Sequence, residues 1–438
     1  MPHRIRLGVI GTSYLGATHA VCMAELGYEV VGVDVDETKV KRLSAGELPF
    51  FEPGLAELLA KHTATDRLRF TTSYDETIAF ADVLFVCVGT PQLPDGLGAD
   101  LRYIEAAFST LAAKLDRQVL VVGKSTVPAG TAARMRDILA AQAPEAELAW
   151  NPEFLREGFA VADTLRPDRL VFGVETAWAE ERLREVFASV IEAGTPVVTT
   201  DFATAELVKV AANSFLATKI SFVNAMAEMC DAVGGDVAQL VDAMGYDPRI
   251  GRPFLNPGLG FGGGCLPKDV RAFIARADEL GVTEVVSLLE DVDRINLRRR
   301  ARTVDLAREA LGGSVEGRRV AVLGAAFKPD SDDIRDSPAL DVAAAIHDLG
   351  ADVIIFDPHA MTNGQRARPD LHFGPTAEAT LRGADVVLML TEWAEFRALD
   401  PEWVATLVRE ANVIDARMAL DADAWRAAGW AYRALGRP

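Results

Sequence analysis

A short apolar segment, a glycine-bearing turn and a helical stretch recur in that order along this chain. This alternation constrains its fold more than any other feature. Arg6–Ile10 reads as a buried strand and runs into Gly11-Thr12-Ser13-Tyr14-Leu15-Gly16. A helical pattern follows from about Ala17 to Leu26, Gly27 closes it, and Glu29–Val33 forms a second strand ending at Asp34. The result is a βαβ unit with a glycine-bearing first turn. The strand Asp82–Val88 ends in Gly89-Thr90-Pro91, and Gln118–Val122 ends in Gly123-Lys124-Ser125-Thr126-Val127-Pro128. Leu148–Trp150 leads into Asn151-Pro152-Glu153-Phe154-Leu155-Arg156-Glu157-Gly158. Strands alternating with helices imply a parallel sheet covered on both faces. Ligands of such sheets bind at the carboxyl ends of the strands, where these polar turns lie.

Near residue 200 the pattern changes. From Thr204 to about Val233 the chain is apolar-periodic, with no proline and no glycine until Gly234. That predicts one helix of roughly 30 residues, about 45 Å long, and more helices up to about residue 310. A second alternation starts at Arg319. Val320–Leu323 is a strand ended by Gly324, Ser337-Pro338 opens a helix closed by Gly350, and Asp352–Phe356, Asp385–Leu390 and Asn412–Ile414 are further strands. The predicted class is α/β, with two doubly wound Rossmann-like domains joined by a long central helix and a helical middle domain. The expected boundaries are 1–202, 203–312 and 313–438.

Length permits such an organisation, since 438 residues accommodate two or three cores. The net charge of −19 argues against nucleic acid or an anionic membrane as partner. It leaves room for an anionic small ligand held by a local basic cluster. No apolar run approaches the roughly 20 residues a membrane helix needs. Arg4 and Arg6 precede an apolar stretch, but Gly8, Gly11, Ser13, Gly16 and His19 break it, so strand–turn–helix is expected rather than a signal peptide. Cys22, Cys87, Cys230 and Cys265 lie far apart, without CxxC, HExxH or clustered histidine. No metal site is expected. Cys22 and Cys230 in helical patterns and Cys87 in a strand read as small core residues, and the pattern points to a reducing cytoplasm.

The first turn carries the outer glycines of G-x-G-x-x-G, Gly11 and Gly16, with Ser13 in place of the middle one. Serine serves there if its φ is negative. Asp34, 18 residues after Gly16, stands where a carboxylate binds a ribose 2′-OH, which favours NAD over NADP. Lys39 lies close by. The alternative is a glycine turn that binds no dinucleotide. Lys209 and Asn213, four apart, share a face of the long helix among apolar neighbours. They are either a cation and an amide donor aimed at a developing oxyanion, or a snorkelling lysine and a solvent-facing amide. Glu153 and Glu157 polarise a substrate or cap a helix. Lys328, Arg335 and Arg249, near Pro or Gly turns, receive phosphate or are ordinary surface charges.

The segment Gly258-Leu259-Gly260-Phe261-Gly262-Gly263-Gly264-Cys265-Leu266-Pro267-Lys268-Asp269 is too glycine-rich for the interior of a helix or strand. Pro267 suits a first helical turn, so Cys265 is expected at a helix N-terminus, which favours thiolate. Asp269 follows about one turn later. This reads as a covalent catalytic site, against the alternative of a surface loop with an incidental cysteine.

Taken in order, these motifs, with Pro248-Arg249-Ile250-Gly251, Phe327-Lys328-Pro329, Asp332-Asp333-Ile334-Arg335-Asp336-Ser337-Pro338 and Asp415-Ala416-Arg417, resemble the UDP-glucose/GDP-mannose dehydrogenase family over nearly the whole chain. The resemblance implies that Cys265 is the nucleophile, that Lys209, Asn213 and Asp269 complete the active site, that Thr126 helps place a water, and that Glu153 joins the acid–base network. It implies NAD contacts from Gly11, Ser13, Tyr14, Leu15, Gly16, Asp34, Lys39, Thr90, Ser125, Thr126, Glu157 and Arg335. For the nucleotide sugar it implies Glu153, Phe154, Leu155, Lys209, Asn213, Phe254, Asn256, Gly258, Phe261, Gly262, Cys265, Phe327, Lys328 and Arg417. Arg249 is implied to reach the neighbouring subunit's substrate, hence a homodimer built on the long helix. Two positions depart from the family pattern: Ser13, and Lys39 where an arginine often packs on adenine.

The activity implied is a four-electron oxidation of a nucleotide-hexose C6 alcohol to a carboxylate with two NAD+, UDP-glucose to UDP-glucuronate, through a thiohemiacetal and thioester on Cys265. The alternatives are the same chemistry on dTDP-glucose or GDP-mannose, a 6-phosphogluconate-type dehydrogenase that needs no cysteine, and a nucleotide-sugar sensor without turnover.

Overall fold

The computed structural model describes residues 5–437, so Arg4 lies outside the described residues. The chain divides into two compact units, Met1–Ala212 and Asn213–Pro438. The first holds an eight-stranded sheet: β1 (Arg6–Ile10), β2 (Glu29–Val33), β3 (Leu68–Thr71), β4 (Val83–Val86), β5 (Val119–Gly123), β6 (Ala146–Trp150), β7 (Leu170–Val174) and β8 (Val197–Thr200). Its order is β3-β2-β1-β4-β5-β6-β7-β8. The first six strands are parallel, and β7 turns antiparallel to β6. The second unit holds β9 (Arg319–Leu323), β10 (Asp352–Phe356), β11 (His372–Phe373), β12 (Val386–Met389), β13 (Asn412–Asp415) and β14 (Ala431–Ala434). Their order is β11-β10-β9-β12-β13-β14, all parallel. Both sheets reverse strand order beside their first strand, and that switch point is where crevices form.

Alternation along the strands builds the first core. Leu7, Val9, Val83, Phe85, Leu120 and Val122 face one layer of helices. Ile10, Leu84, Val86, Val119, Val121 and Trp150 face the other. A strand covered on both faces has no polar side, so it reads as a continuous apolar run.

The predicted long helix spans Phe202–Val233, 32 residues. The boundary between the units falls within it, after Ala212. Near its midpoint it packs with the helices Leu266–Glu279 and Thr283–Ala310 through Ala217, Val270, Ile274, Leu289 and Val292, joined by Phe261 of the preceding loop. Ser337 caps the helix Pro338–Asp348 by accepting from the Leu340 amide. Cys87 lies one residue beyond the end of β4, not within it as expected, and is buried. Burial pushes the Cys22 and Cys87 thiols up to about 12, and raises that of Cys230, in keeping with core roles.

Candidate active site

The first unit supplies a dinucleotide turn. Ser13 stands at the N-cap of the helix Tyr14–Glu25 with φ −72°. Serine therefore holds the middle position without strain. At Gly16 any side chain is excluded, since a Cβ would lie 1.8 Å from the Gly11 carbonyl oxygen. Helix and strand meet there, leaving the helix N-terminus open toward a pyrophosphate. At the end of β2, Asp34 Oδ2 accepts from the Thr12 amide (2.8 Å) and from Lys39 Nζ (2.8 Å), and Lys39 also reaches Ser13 Oγ at 3.2 Å. Burial pushes the Asp34 carboxyl up, but Lys39 and the Thr12 and Asp36 amides outweigh it and hold it below the usual range. A carboxylate fixed at the strand end and an open helix start fit NAD. Lys39 is engaged with that carboxylate, a role its spacing did not reveal.

The neighbouring turns are knitted together. Thr90 Oγ1 donates to the Thr126 carbonyl (2.7 Å), and Ser125 Oγ to that of Val88 (2.6 Å). Lys124 is buried, donates to Asn151 Oδ1 at 2.9 Å and lies 3.1 Å from Glu153 Oε2. Glu153 Oε1 accepts from the Phe154 and Leu155 amides at 2.7 and 3.1 Å. Lys209 Nζ sits 5.4 Å from the Phe154 ring centroid. One turn earlier on the same helix, Glu206 accepts from the Gly130 and Ala132 amides at 2.7 and 2.6 Å, pinning Lys209's helix to the turn that follows Thr126. Glu52, absent from the expected set, is buried and accepts from the Tyr14 hydroxyl and from the amides of Gly158 (2.7 Å) and Ala160 (2.8 Å). It ties the dinucleotide turn to the loop carrying Glu157, itself buried.

In the second unit Cys265 is exposed and stands at the N-cap of Leu266–Glu279, with Pro267 in the first turn. Its carbonyl accepts from the Asp269 amide at 2.9 Å. Asp269 is 2% exposed. Its Oδ2 accepts from Asn213 Nδ2 at 2.6 Å, and Lys268 Nζ lies 2.7 Å from Oδ1. Lys268 stood in the recognised motif without a role. The glycine loop before Cys265 is held from outside. Asn224 accepts from the Gly258 amide (2.8 Å), Asn296 accepts from the Phe261 amide (2.7 Å) and donates to its carbonyl (3.0 Å), and Arg299 donates to the Gly258 carbonyl (3.2 Å). A Cβ on Gly264 would lie 2.2 Å from the Arg335 guanidinium carbon. Arg335 thus packs on the loop one residue before the thiol, oriented by Asp333 at 2.6 Å.

Arg417 donates to the carbonyls of Leu390 (2.8 Å), Gly260 (2.9 Å) and Phe327 (3.1 Å), so it braces the loop. Asn256 accepts from Arg252 at 2.7 Å, and Lys328 Nζ lies 5.5 Å from the Phe327 ring. Arg249 extends into solvent, paired with Asp247 at 2.6 Å. Phe254 and Met418 hold φ of 64° and 54°, rare for non-glycine residues and concentrated at functional loops. Among the described residues no group of three or more His, Cys, Asp or Glu is placed to hold a metal ion. No described helix is long and apolar enough to cross a membrane.

The second sheet repeats the strand order but not the dinucleotide site. Asp357, at the end of β10, is fully buried and accepts from the amides of Ala325, Ala326, His359 and Ala360 and from Trp393 Nε1, all within 3.1 Å. Little acceptor capacity remains for a ribose. The fold and these motifs define an NAD-dependent dehydrogenase whose second Rossmann-like fold serves another nucleotide.

Residues 5–191 match the NAD binding domain of the UDP-glucose/GDP-mannose dehydrogenase family, 203–298 its central domain and 321–422 its UDP binding domain. The UDP-glucose 6-dehydrogenase AglM of Haloferax volcanii is 44% identical over 94% of this chain and 96% of its own length. TuaD of Bacillus subtilis, also a UDP-glucose 6-dehydrogenase, is 38% identical over 99% of this chain and 93% of its own. A UDP-glucose dehydrogenase structure from Pyrobaculum islandicum superposes with a TM-score of 0.92 at 38% identity, covering 100% of this chain and 98% of that one. This chain belongs to the UDP-glucose/GDP-mannose dehydrogenase family. It is an NAD-dependent nucleotide-sugar dehydrogenase.

Proposed function

We propose that the protein oxidises the C6 alcohol of UDP-glucose to the carboxylate of UDP-glucuronate, passing two hydrides to two NAD+. The observation that carries this reading is the exposed Cys265 thiol at a helix N-cap, one turn from the buried Asp269–Asn213 pair. NAD+ supplies the hydride acceptor when bound, held by the Gly11–Gly16 turn, Asp34, Thr90, Ser125 and Glu157. The substrate hydroxyl gives its proton to a network of Asp269, Lys209 and water as the first hydride leaves C6. The Cys265 sulfur then adds to the aldehyde carbon, forming a thiohemiacetal and preventing escape. Loss of the second hydride leaves a thioester. A water placed by Thr126 and Glu153 attacks it, the C–S bond breaks, and the thiol is regenerated with release of the carboxylate. Lys209 and Asn213 stabilise the oxyanion at each tetrahedral stage, where one such donor is worth about 100–1,000-fold in rate.

The relatives that act on UDP-glucose support the choice of sugar nucleotide. Division into cofactor, central and sugar-nucleotide domains at 1–202, 203–312 and 313–438 follows the alternation of the chain. A homodimer built on the long helix is supported by its exposed apolar row of Phe215, Phe222, Met229 and Val233. Cys22, Cys87, Cys230 and Cys265 are thiols rather than disulfide halves, which suits a reducing cytoplasm.

The test is stoichiometry on a panel of UDP-glucose, dTDP-glucose and GDP-mannose. Two NADH per UDP-glucose consumed, with the other two slower, is the expected result. One NADH per sugar sinks the scheme. Cys265→Ala is expected to abolish acid formation, and normal acid release by that variant refutes the covalent role.

A further inference from the structure

Behind the strand-end turns of the first unit lies a buried polar group for which the proposed chemistry has given no reason. Lys124 leaves the end of β5 and is 3% exposed. Its ammonium donates to Asn151 Oδ1 (2.9 Å), and Asn151 in turn donates from Nδ2 to the Val171 carbonyl (3.0 Å). This relay, from β5 across the end of β6 to β7, fixes where the ammonium points. It points at Glu153 Oε2, 3.1 Å away. The other oxygen of Glu153 is taken by the Phe154 and Leu155 amides.

A buried ammonium and a carboxylate only 16% exposed at its side chain both lose hydration, and such a pair is seldom kept for stability alone. The groups around Glu153 come from several elements. Lys209 approaches from the long helix, Cys22 from the helix Tyr14–Glu25 and Cys87 from the end of β4. His19 faces Lys124, and Arg169 covers the Phe154 ring at 3.8 Å. Burial keeps both thiols protonated, and burial together with Lys124 keeps His19 neutral. The largest charges acting on Glu153 are the two ammonium groups, Lys124 before Lys209. Burial pushes its carboxyl up, but Lys124, the Phe154 amide and Lys209 outweigh it and hold it below the usual range.

We propose that Lys124 is a positioning residue for the reaction, whose ammonium, aimed by Asn151, holds the Glu153 side chain as a carboxylate in one orientation. This rests on the reading that Glu153 takes part in proton transfer. A depressed carboxyl is ionised down to low pH. Without Lys124 its titration moves up, and a rate that needs the carboxylate is lost as pH falls through the new value.

Lys124→Gln keeps a donor for Asn151 and removes the charge, and Lys124→Arg keeps the charge. The acid limb of the kcat/KM profile for UDP-glucose and NAD+ is expected to move alkaline by about one pH unit or more in K124Q. The rate should recover toward the parent's at high pH, and K124R should keep the parent's limb. In a Glu153→Gln background, K124Q should add little. A K124Q profile lowered equally at every pH, or an equal K124Q effect in the E153Q background, overturns the proposal. If the parent yields no NADH from any nucleotide sugar, or E153Q retains the parent's rate and profile, the underlying reading fails instead. The pairing is then judged without turnover, by thermal unfolding of the four chains at pH 7. K124Q is expected to melt below the parent and K124Q/E153Q above K124Q. Simple additivity of the two losses overturns the pairing.

Discussion

Asn213 donates through Nδ2 to Asp269 Oδ2 at 2.6 Å, joining the long helix to the helix that Cys265 caps. The bond consumes one face of a carboxylate that is 2% exposed, while Lys268 neutralises the other oxygen. An amide so placed orients Asp269 beside the helix start that carries Cys265. Asn213→Ala is expected to lower kcat on UDP-glucose about 100-fold or more. It should also destabilise the fold by about 1–3 kcal/mol, because a buried acceptor loses its donor. Saturation kinetics and thermal melts report the two effects separately. A parent-like kcat in a destabilised chain would make Asn213 a structural tie only.

Much of this was legible in the chain because local chemistry agrees with tertiary need. Pro267 and Cys265 mark a helix start, and Ser337-Pro338 marks another, because caps are read within four residues. Asp352–Phe356 is an apolar run that begins at Asp352 and is closed by Asp357, and it forms the strand expected. What escaped has distant partners. Glu52 is defined by amides 106 and 108 residues away, and Asn296 by a loop 35 residues earlier. Neither sits in a motif. The strand β8, half exposed along its length, has neither an apolar run nor a clean alternation, and its neighbour β7 reverses direction in a sheet otherwise parallel up to β6. Arg417 was legible as part of a motif but not as a brace, because backbone carbonyls carry no sequence signal.

Cofactor choice turns on Asp34 and Lys39. The ammonium lies 2.8 Å from the carboxylate and 3.2 Å from Ser13 Oγ, beside the place where a ribose 2′-OH belongs. Asp34→Asn removes the negative charge and leaves Lys39 and Ser13 as donors suited to a 2′-phosphate. The variant is expected to lose about tenfold or more in kcat/KM for NAD+ and to gain with NADP+. Adding Lys39→Ala should remove the NADP+ gain. No gain with NADP+ in Asp34→Asn would show that Lys39 is fixed by the local backbone and not free to turn to phosphate.

Glu52 should be felt in cofactor binding more than in chemistry. Its carboxylate satisfies the amides of Gly158 and Ala160 while Tyr14 donates to it from the dinucleotide turn. Burial, with Glu52 next, pushes the Tyr14 phenol up, so it stays a neutral donor. Glu52→Ala is expected to cost about 2–4 kcal/mol of stability through two orphaned amides and a lost charged acceptor. It should raise KM for NAD+ with a smaller change in kcat. A KM at the parent's value in a chain that melts lower would confine Glu52 to folding.

The long helix carries Phe215, Phe222 and Met229 at intervals of seven, then Val233, with exposures of 66, 49, 55 and 73%. Spacing of this kind keeps an apolar row on one side of a helix, and such a row in contact with water is unfavourable by about 25 cal/mol per Å2. The proposed dimer would cover it with a second copy of the same helix, each row meeting its equivalent. Phe222→Asp puts a carboxylate at the middle of that row, where two copies would face each other. Light scattering during gel filtration is expected to show a dimer for the parent and a monomer for Phe222→Asp, with far-ultraviolet circular dichroism unchanged. Arg249 is 87% exposed at its side chain, paired with Asp247. If it serves a neighbouring subunit's substrate, the monomeric variant should lose most of its turnover although every residue of its own site is intact. A fully active monomer would refute both the dimer as a working unit and the reach of Arg249 across it.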